Sequence, residues 1–302
     1  MFYSAKPTGK VTAKSPLNSA SILVFWVMAS LSSLSLAEVY SVDQLCKKIG
    51  AKLSSVSARE CRRLKFDPPR FYSVRGLPIL EKHFAAAKNR EYAPKILFIG
   101  GIHGDEYSSV SVTFKWLKTL AKHHSGSYDW HFVPLANPDG LLKKKSSRVN
   151  ANKVDLNRNF QTKENAIAAI DHWRNSTKQR TRYFPGQQSL SEPESRAIHT
   201  LIEELKPTVI VSVHAPHGIL DFDGKVQPPR RLGPLHLRQL GTYPGSLGNY
   251  GFYIKNIPVM TIELEHAGIM PKKAQISAIW ADLVRWIKVK TKSKEIIVHI
   301  AR

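Results

Sequence analysis

The stretch GGIHGDE, residues 100–106, sets a histidine and a glutamate three apart, His103 and Glu106, directly after the apolar run ILFI. A close His/Glu pair of this kind can supply two ligands to one metal. Catalytic zinc takes three protein ligands, commonly two His and one Glu, and keeps a position for water. His214, which closes the run PTVIVSVH, could supply the distant third ligand. A metal-bound water of lowered pKa needs a general base, and Glu263 in IPVMTIELE is available for it. The segment SRVNANKVDLNRNF adds an amide and two guanidiniums. Asn157 and Arg158 suit the grip of a substrate carboxylate, and Arg148 suits the polarising of a scissile carbonyl. Each feature is weak alone. An H-x-x-E also occurs in surface turns, NRN in ordinary loops, and a strand-end histidine in a satisfied core. Their joint occurrence, in this order and at successive strand ends, is what points to metal-dependent hydrolysis.

The elements that would position these residues can be read from periodicity. KILFIG is a buried strand, and EYSSVSVTFKWLKTLAKHH has helical spacing with a basic end. DWHFVPL, PTVIVSVH and IPVMTIELE are further strands, and NPDG reads as a turn. SEPESRAIHTLIEEL reads as a helix with Ser191 as N-cap and Pro193 in its first turn. PKKAQISAIWADLVRWIKVK is a closing amphipathic helix. FYSVRGLPILEKHF alternates about a Gly-Leu-Pro turn and suggests a hairpin. Strands alternating with helices predict an α/β sheet with helices on both faces. In such sheets ligands bind beyond the C-terminal ends of strands, where His103, His214 and Glu263 fall.

The chain's 302 residues favour one large domain. Its 45 Lys+Arg against 23 Asp+Glu give a net charge of +22, which favours anionic neighbours. No RNP-type, zinc-finger or helix-turn-helix signature accompanies the charge, so no specific nucleic-acid partner is expected. Residues 1–37 read as a signal peptide or membrane anchor. Lys6, Lys10 and Lys14 precede the apolar run of residues 21–37, and Ser35 and Ala37 are small residues before Glu38. Export to the periplasm, or anchoring in the inner membrane, follows. Residues 38–70 form a small helical pre-segment holding Cys46 and Cys61. These pair in an oxidising compartment, or stay as two buried thiols in a reducing one. Residues 71–288 are the catalytic domain and 289–302 a basic tail.

GGIHGDE, SRVNANKVDLNRNF, VSVHAPHG, TYPGSLGNYG and VMTIELE together resemble the zinc carboxypeptidase family, and within it the bacterial murein peptide amidase A group. The resemblance spans roughly residues 70–288. It implies a mixed, mostly parallel eight-stranded sheet with helices on both faces. It also implies one zinc ion held by His103, Glu106 and His214, with Glu263 activating the water and Arg148 stabilising the oxyanion. Asn157 and Arg158 would hold the substrate's terminal carboxylate. The substrate implied is the peptidoglycan stem peptide, cut between γ-D-glutamate and meso-diaminopimelate.

Some positions depart from that pattern. Tyr243 is the nearest candidate for the mobile tyrosine common in the family, but aligning PGS puts the usual position near Gly241. Glu265 shares a face with Glu263 by period-two alternation and competes for the base role, where the match of TIEL favours Glu263. Recycling amidases of this group act in the cytoplasm, whereas an export signal points to trimming near the sacculus and to contact with the anionic envelope. Asp221 and Asp223 either meet the diaminopimelate ammonium or lie in a solvated turn, and His217 reads as a turn histidine. Lys143, Lys144 and Lys145 read as a solvated face. Two other functions share parts of the pattern. One is a deacylase of the aspartoacylase and succinylglutamate desuccinylase type, which has the H-G-x-E turn. The other is an inactive cell-wall-binding relative, which the full set of ligands and base disfavours.

Overall fold

The computed structural model describes residues 39–88, 93–162 and 166–292. Residues 1–37, read above as a signal or anchor, and residues 293–302 of the expected basic tail lie outside these. Among the described residues no helix is long and apolar enough to cross a membrane.

The centre is an eight-stranded mixed sheet. Its strands are β1 (Lys82–Phe84), β2 (Lys95–Gly100), β3 (Asp129–Val133), β4 (Val209–His214), β5 (Ile219–Asp223), β6 (Arg231–Leu232), β7 (Leu235–Leu237) and β8 (Val259–Glu263). Their spatial order is β1-β3-β2-β4-β8-β5-β7-β6. β3, β2, β4 and β8 run parallel through the middle, and β1 and β5 flank them antiparallel. β2 and β4 are near-continuous buried runs because both faces are covered, whereas β3, nearer the edge, alternates. Alternate residues therefore enter two cores. Ile96 and Phe98 pack with Trp116 and Leu117 of α3 (Tyr107–His123) and Leu283 and Ile287 of α8 (Lys273–Lys292). Leu97 and Ile99 pack on the other face with Ile198, Leu201 and Ile202 of α6 (Pro193–Leu205).

The pre-segment folds as α1 (Val42–Lys52) and α2 (Ala58–Arg63). Each opens on a capping box, Ser41 with Gln44 and Ser57 with Glu60. A disulfide joins Cys46 and Cys61 across a sequence separation of 15. In the loop-closure account such a link stabilises the fold by about 3 kcal/mol. Leu45, Ile49 and both cysteines pack on Val110 and Phe114 of α3 and on Leu141, so the pre-segment shares a core with the sheet layer.

Several local expectations change. NPDG is the start of a short helix, α4 (Pro138–Leu142), because the Asn137 side chain accepts from Gly140 N and caps it. The N-cap of α6 is Glu192 rather than Ser191, whose hydroxyl instead donates to the Glu192 carboxylate. The predicted hairpin reduces to a turn and one bridge, Tyr72 to Pro78. Pro78 lacks the N–H a longer ladder would need, and the following β1 pairs with β3 instead. α8 continues to Lys292, so the tail's first residues are helical.

Candidate active site

The carboxyl ends of β2, β4 and β8 meet at one cleft of about 750 Å³. After β2 the chain turns through Gly101, whose φ is +62°, a conformation open to glycine. Gly104 follows with its Cα against α4. A Cβ there would lie 2.3 Å from the backbone of Gly140 and Leu141. This tight turn folds His103 and Glu106 toward each other, with His103 Nδ1 at 2.7 Å from Glu106 Oε1. His214 ends β4 and brings its Nδ1 to 3.2 Å from His103 Nδ1 and 3.3 Å from Glu106 Oε2. All three side chains are buried.

One ligand atom from each of these residues falls within 4.8 Å of the others, a donor set of two imidazole nitrogens and a carboxylate. That set fits catalytic zinc. The ring nitrogens facing away are also held, as metal-binding histidines require. His103 Nε2 donates to Asp155 Oδ1 at 3.2 Å, and His214 Nε2 lies 2.9 Å from Ser212 Oγ. Burial would raise the Glu106 carboxyl's pKa, but the two imidazoles hold it well below the usual carboxylate range. Burial and the Arg148 guanidinium push the His103 ring's pKa down. Glu106 and Asp155 outweigh them and leave it raised, so negative charge here favours a cation at this point.

Glu263 ends β8 and is paired in register with His214 across the β4–β8 ladder. Its Oε2 is buried and has no hydrogen-bond partner among the described residues. Glu263 also lines the cleft, and a carboxylate with an unpartnered oxygen there fits a base whose partner arrives with substrate. Glu265 lies past the strand end with its side chain 70% exposed, because pleated alternation stops where the ladder stops.

Arg148 sits at the same centre. Its Nε donates to Asp155 Oδ2 at 2.9 Å, and its side chain approaches His103. Asn157 and Arg158 occupy a short 3₁₀ turn, Leu156–Arg158, and both line the cleft. Asn157 Oδ1 accepts from Leu247 N, and the Arg158 guanidinium lies 4.6 Å from the Tyr243 ring centroid. Tyr243 is a half-exposed wall residue beside this cation. Asp221 and Asp223 also line the cleft, both on one face of β5, rather than lying in a turn. His217 is on the exposed rim. Lys144 and Lys145 are exposed and apart from the cleft lining, while Lys143 is tied to Asn150 O.

The residue that motif reading passed over is Asp155. It is fully buried and accepts from His103, Arg148 and Asn157 N, so it orients a ligand and a guanidinium together. It stands inside VDLNRNF, where an acid beside the arginine was the available signal.

The zinc carboxypeptidase (peptidase M14) family model matches residues 52–222, more than half of the chain. The chain belongs to the zinc carboxypeptidase family. Members of this family are zinc-dependent, and this zinc carboxypeptidase is accordingly a peptide hydrolase. It is 30% identical over 213 residues to murein peptide amidase A of Escherichia coli (strain K12), covering 67% of this chain and 83% of that protein. It is 32% identical over 200 residues to murein peptide amidase A of Vibrio campbellii, covering 64% and 76%. Among solved structures, murein-tripeptide amidase from Escherichia coli O157 superposes with a TM-score of 0.51 at 28% identity, covering 73% of this chain and 93% of that one. Carboxypeptidase A from Helicoverpa armigera superposes with a TM-score of 0.57 at 16% identity, covering 78% and 77%, and shares the fold.

Proposed function

We propose that this zinc carboxypeptidase hydrolyses the bond between γ-D-glutamate and meso-diaminopimelate in peptidoglycan stem peptides, with zinc held by His103, Glu106 and His214. The similarity to murein peptide amidases supports the substrate class. The observation that carries the finer reading is the arrangement of charge in the cleft. Arg148 and Arg158 stand among its lining with the acid pair Asp221 and Asp223. Diaminopimelate as a leaving residue presents a terminal carboxylate and, at its far end, an ammonium group beside a second carboxylate. The arginines suit the carboxylates and the acids suit the ammonium. The γ-linkage also leaves the glutamate's α-carboxylate free on the acyl side. Arg180 and Arg182, gathered about the Tyr183 ring in the cleft lining, are cations for that group.

Bound zinc would supply a Lewis acid and lower the pKa of the attacking water. The Glu263 carboxylate would accept a proton from the attacking water and pass it to the departing amine. Arg148 donates to the carbonyl oxygen as negative charge develops there. Asn157 and Arg158 fix the terminal carboxylate, which sets the register of the scissile bond. Asp155 keeps His103 and Arg148 aimed. The basic leader and apolar run before Glu38 support an exported enzyme, periplasmic or anchored in the inner membrane. Such an enzyme trims stem peptides near the sacculus, and the charge of +22 supports contact with the anionic envelope.

Mass spectrometry of the tripeptide L-Ala-γ-D-Glu-meso-diaminopimelate with zinc-loaded enzyme tests this directly. The expected products are L-Ala-D-Glu and free diaminopimelate. An intact tripeptide together with release of the acyl group from an N-acyl amino acid would instead identify a deacylase. A pH series tests the acid pair. Burial, and then Asp221, push the Asp223 carboxyl up to about 7. As pH falls through 7 this group gains a proton and loses its charge. KM for the diaminopimelate peptide is therefore expected to rise between pH 8 and pH 6 relative to a peptide with an uncharged terminal side chain. Equal pH profiles for the two peptides would remove Asp223 from ammonium binding.

A further inference from the structure

A second cluster of metal-ligating side chains lies at the β1–β3 edge of the sheet. It sits toward the end of the parallel strands opposite the cleft. β1 contributes His83, and β3 contributes Asp129 and His131. The register pairs His83 with His131 across the antiparallel ladder, so both rings stand on the same face. The rings stack at 4.2 Å with 10° between their planes. Asp129 is two residues from His131 and shares that face. Its Oδ1 meets Nε2 of both histidines, at 3.1 Å for His131 and in a close contact for His83.

One ligand atom from each of the three falls within 4.8 Å of the others. Two imidazole nitrogens converging on one carboxylate oxygen is a donor set suited to a borderline divalent cation. Beside it lies a small cavity of about 20 Å³, lined in part by Glu81, His83 and His131, with room for a single water. The Glu81 Oε1 is buried and has no hydrogen-bond partner among the described residues. It is an open acceptor close to the cluster. Lys95 faces Asp129 across the ladder and opposes a cation, while Asp67 and Glu81 nearby offset it.

We propose that His83, Asp129 and His131 form a second metal site, structural rather than catalytic, that takes a divalent cation of the zinc class and clamps the edge strand β1 onto β3. β1 is three residues long and, among the described residues, pairs only with β3. A ligand bridge across that ladder would fix an edge that backbone hydrogen bonds hold weakly. The proposal does not rest on the identity of the peptide substrate, because its readout is metal content.

The test uses the full chain without an affinity tag, stripped of metal, re-equilibrated with zinc alone and analysed by plasma mass spectrometry. Two equivalents per chain are expected for the wild type. His131→Ala is expected to hold one equivalent and keep peptidase activity. His103→Ala is expected to hold one equivalent and lose activity. Thermal unfolding should rise on zinc addition in His103→Ala through the remaining site. The exposed His83→Ala, which disturbs packing least, serves as the second variant and is expected to match His131→Ala. One equivalent in the wild type, or two in both His83→Ala and His131→Ala, would overturn the second site.

Discussion

At the scale of single residues, the division of labour in the cleft follows from what each side chain has left to bond. His103, Glu106 and His214 have their ligand atoms turned toward one another, and Asp155 and Ser212 occupy the far sides of the two rings. Glu263 alone among the buried acids of this centre presents an oxygen without a partner among the described residues. Replacing it with glutamine keeps the size and removes the proton acceptor. Glu263→Gln is expected to lower kcat by about a thousandfold, within the range for loss of a general base, while zinc content stays unchanged. Steady-state kinetics paired with metal analysis checks both halves, and a variant retaining near-normal kcat would exclude the role. The candidate metal ligands, base and arginines could be named from residue type and order, and the structure gathers them at one cleft. Asp155 was not legible in this way, although it stands in the same motif as Asn157 and Arg158. Its function depends on being buried between His103 and Arg148, and burial of a loop residue leaves no periodic trace.

At the scale of elements, the turn from β2 into α3 decides whether there is a metal centre at all. It works because the chain at Gly104 passes directly over the first turn of α4. A methyl group there meets backbone, which cannot rotate aside. Gly104→Ala is expected to destabilise the protein by about 1–3 kcal/mol through overpacking. It is also expected to shrink the stabilisation gained on adding zinc, since the turn carries two of the ligands. Denaturation with and without zinc measures both effects, and an unchanged zinc increment would show that the turn is not what aims the ligands. β2 and β4 were readable because burial on both faces writes a near-continuous apolar run, and β3 and β8 because buried apolar residues dominate them. β5 was missed although ILDFD alternates, since its polar positions, Asp221 and Asp223, face the cleft and resemble loop residues. β6 and β7 have two and three residues, too few to establish a period. The hairpin expected from FYSVRGLPILEKHF failed at a proline, and the strand it contained found a partner distant in sequence.

At the scale of the whole molecule, one buried acid couples stability to pH away from the cleft. Glu194, in the first turn of α6, is fully buried and accepts from Asn150 and from Val74 N. Burial raises its pKa from 4.5 to about 7 despite these bonds. Because the folded state holds this proton more tightly than the unfolded chain, the group's cost is absent below pH 4.5. It grows as pH rises and is complete above 7. The full cost is about 3 kcal/mol. Glu194→Gln removes the titration, so its stability relative to the wild type is expected to climb between pH 5 and pH 8. Any fixed cost of the glutamine amide facing Asn150 shifts the curve without changing its slope. Parallel denaturation curves for the two proteins across that range would show that Glu194 does not titrate as described.

The pairing of His214 with Glu263 has a consequence for how such enzymes can diversify. The two residues are cross-strand neighbours on adjacent parallel strands, so the backbone separation of the proposed ligand and the proposed base is the spacing of the sheet itself. The length of a connecting loop elsewhere does not set that backbone spacing. The surfaces that meet the substrate, by contrast, come largely from β5, from the segment around Tyr183 and from the loop around Tyr243. Bond-breaking geometry and taste for substrate are thus inherited separately. A lineage can rewrite the second, residue by residue, without ever recalibrating the first.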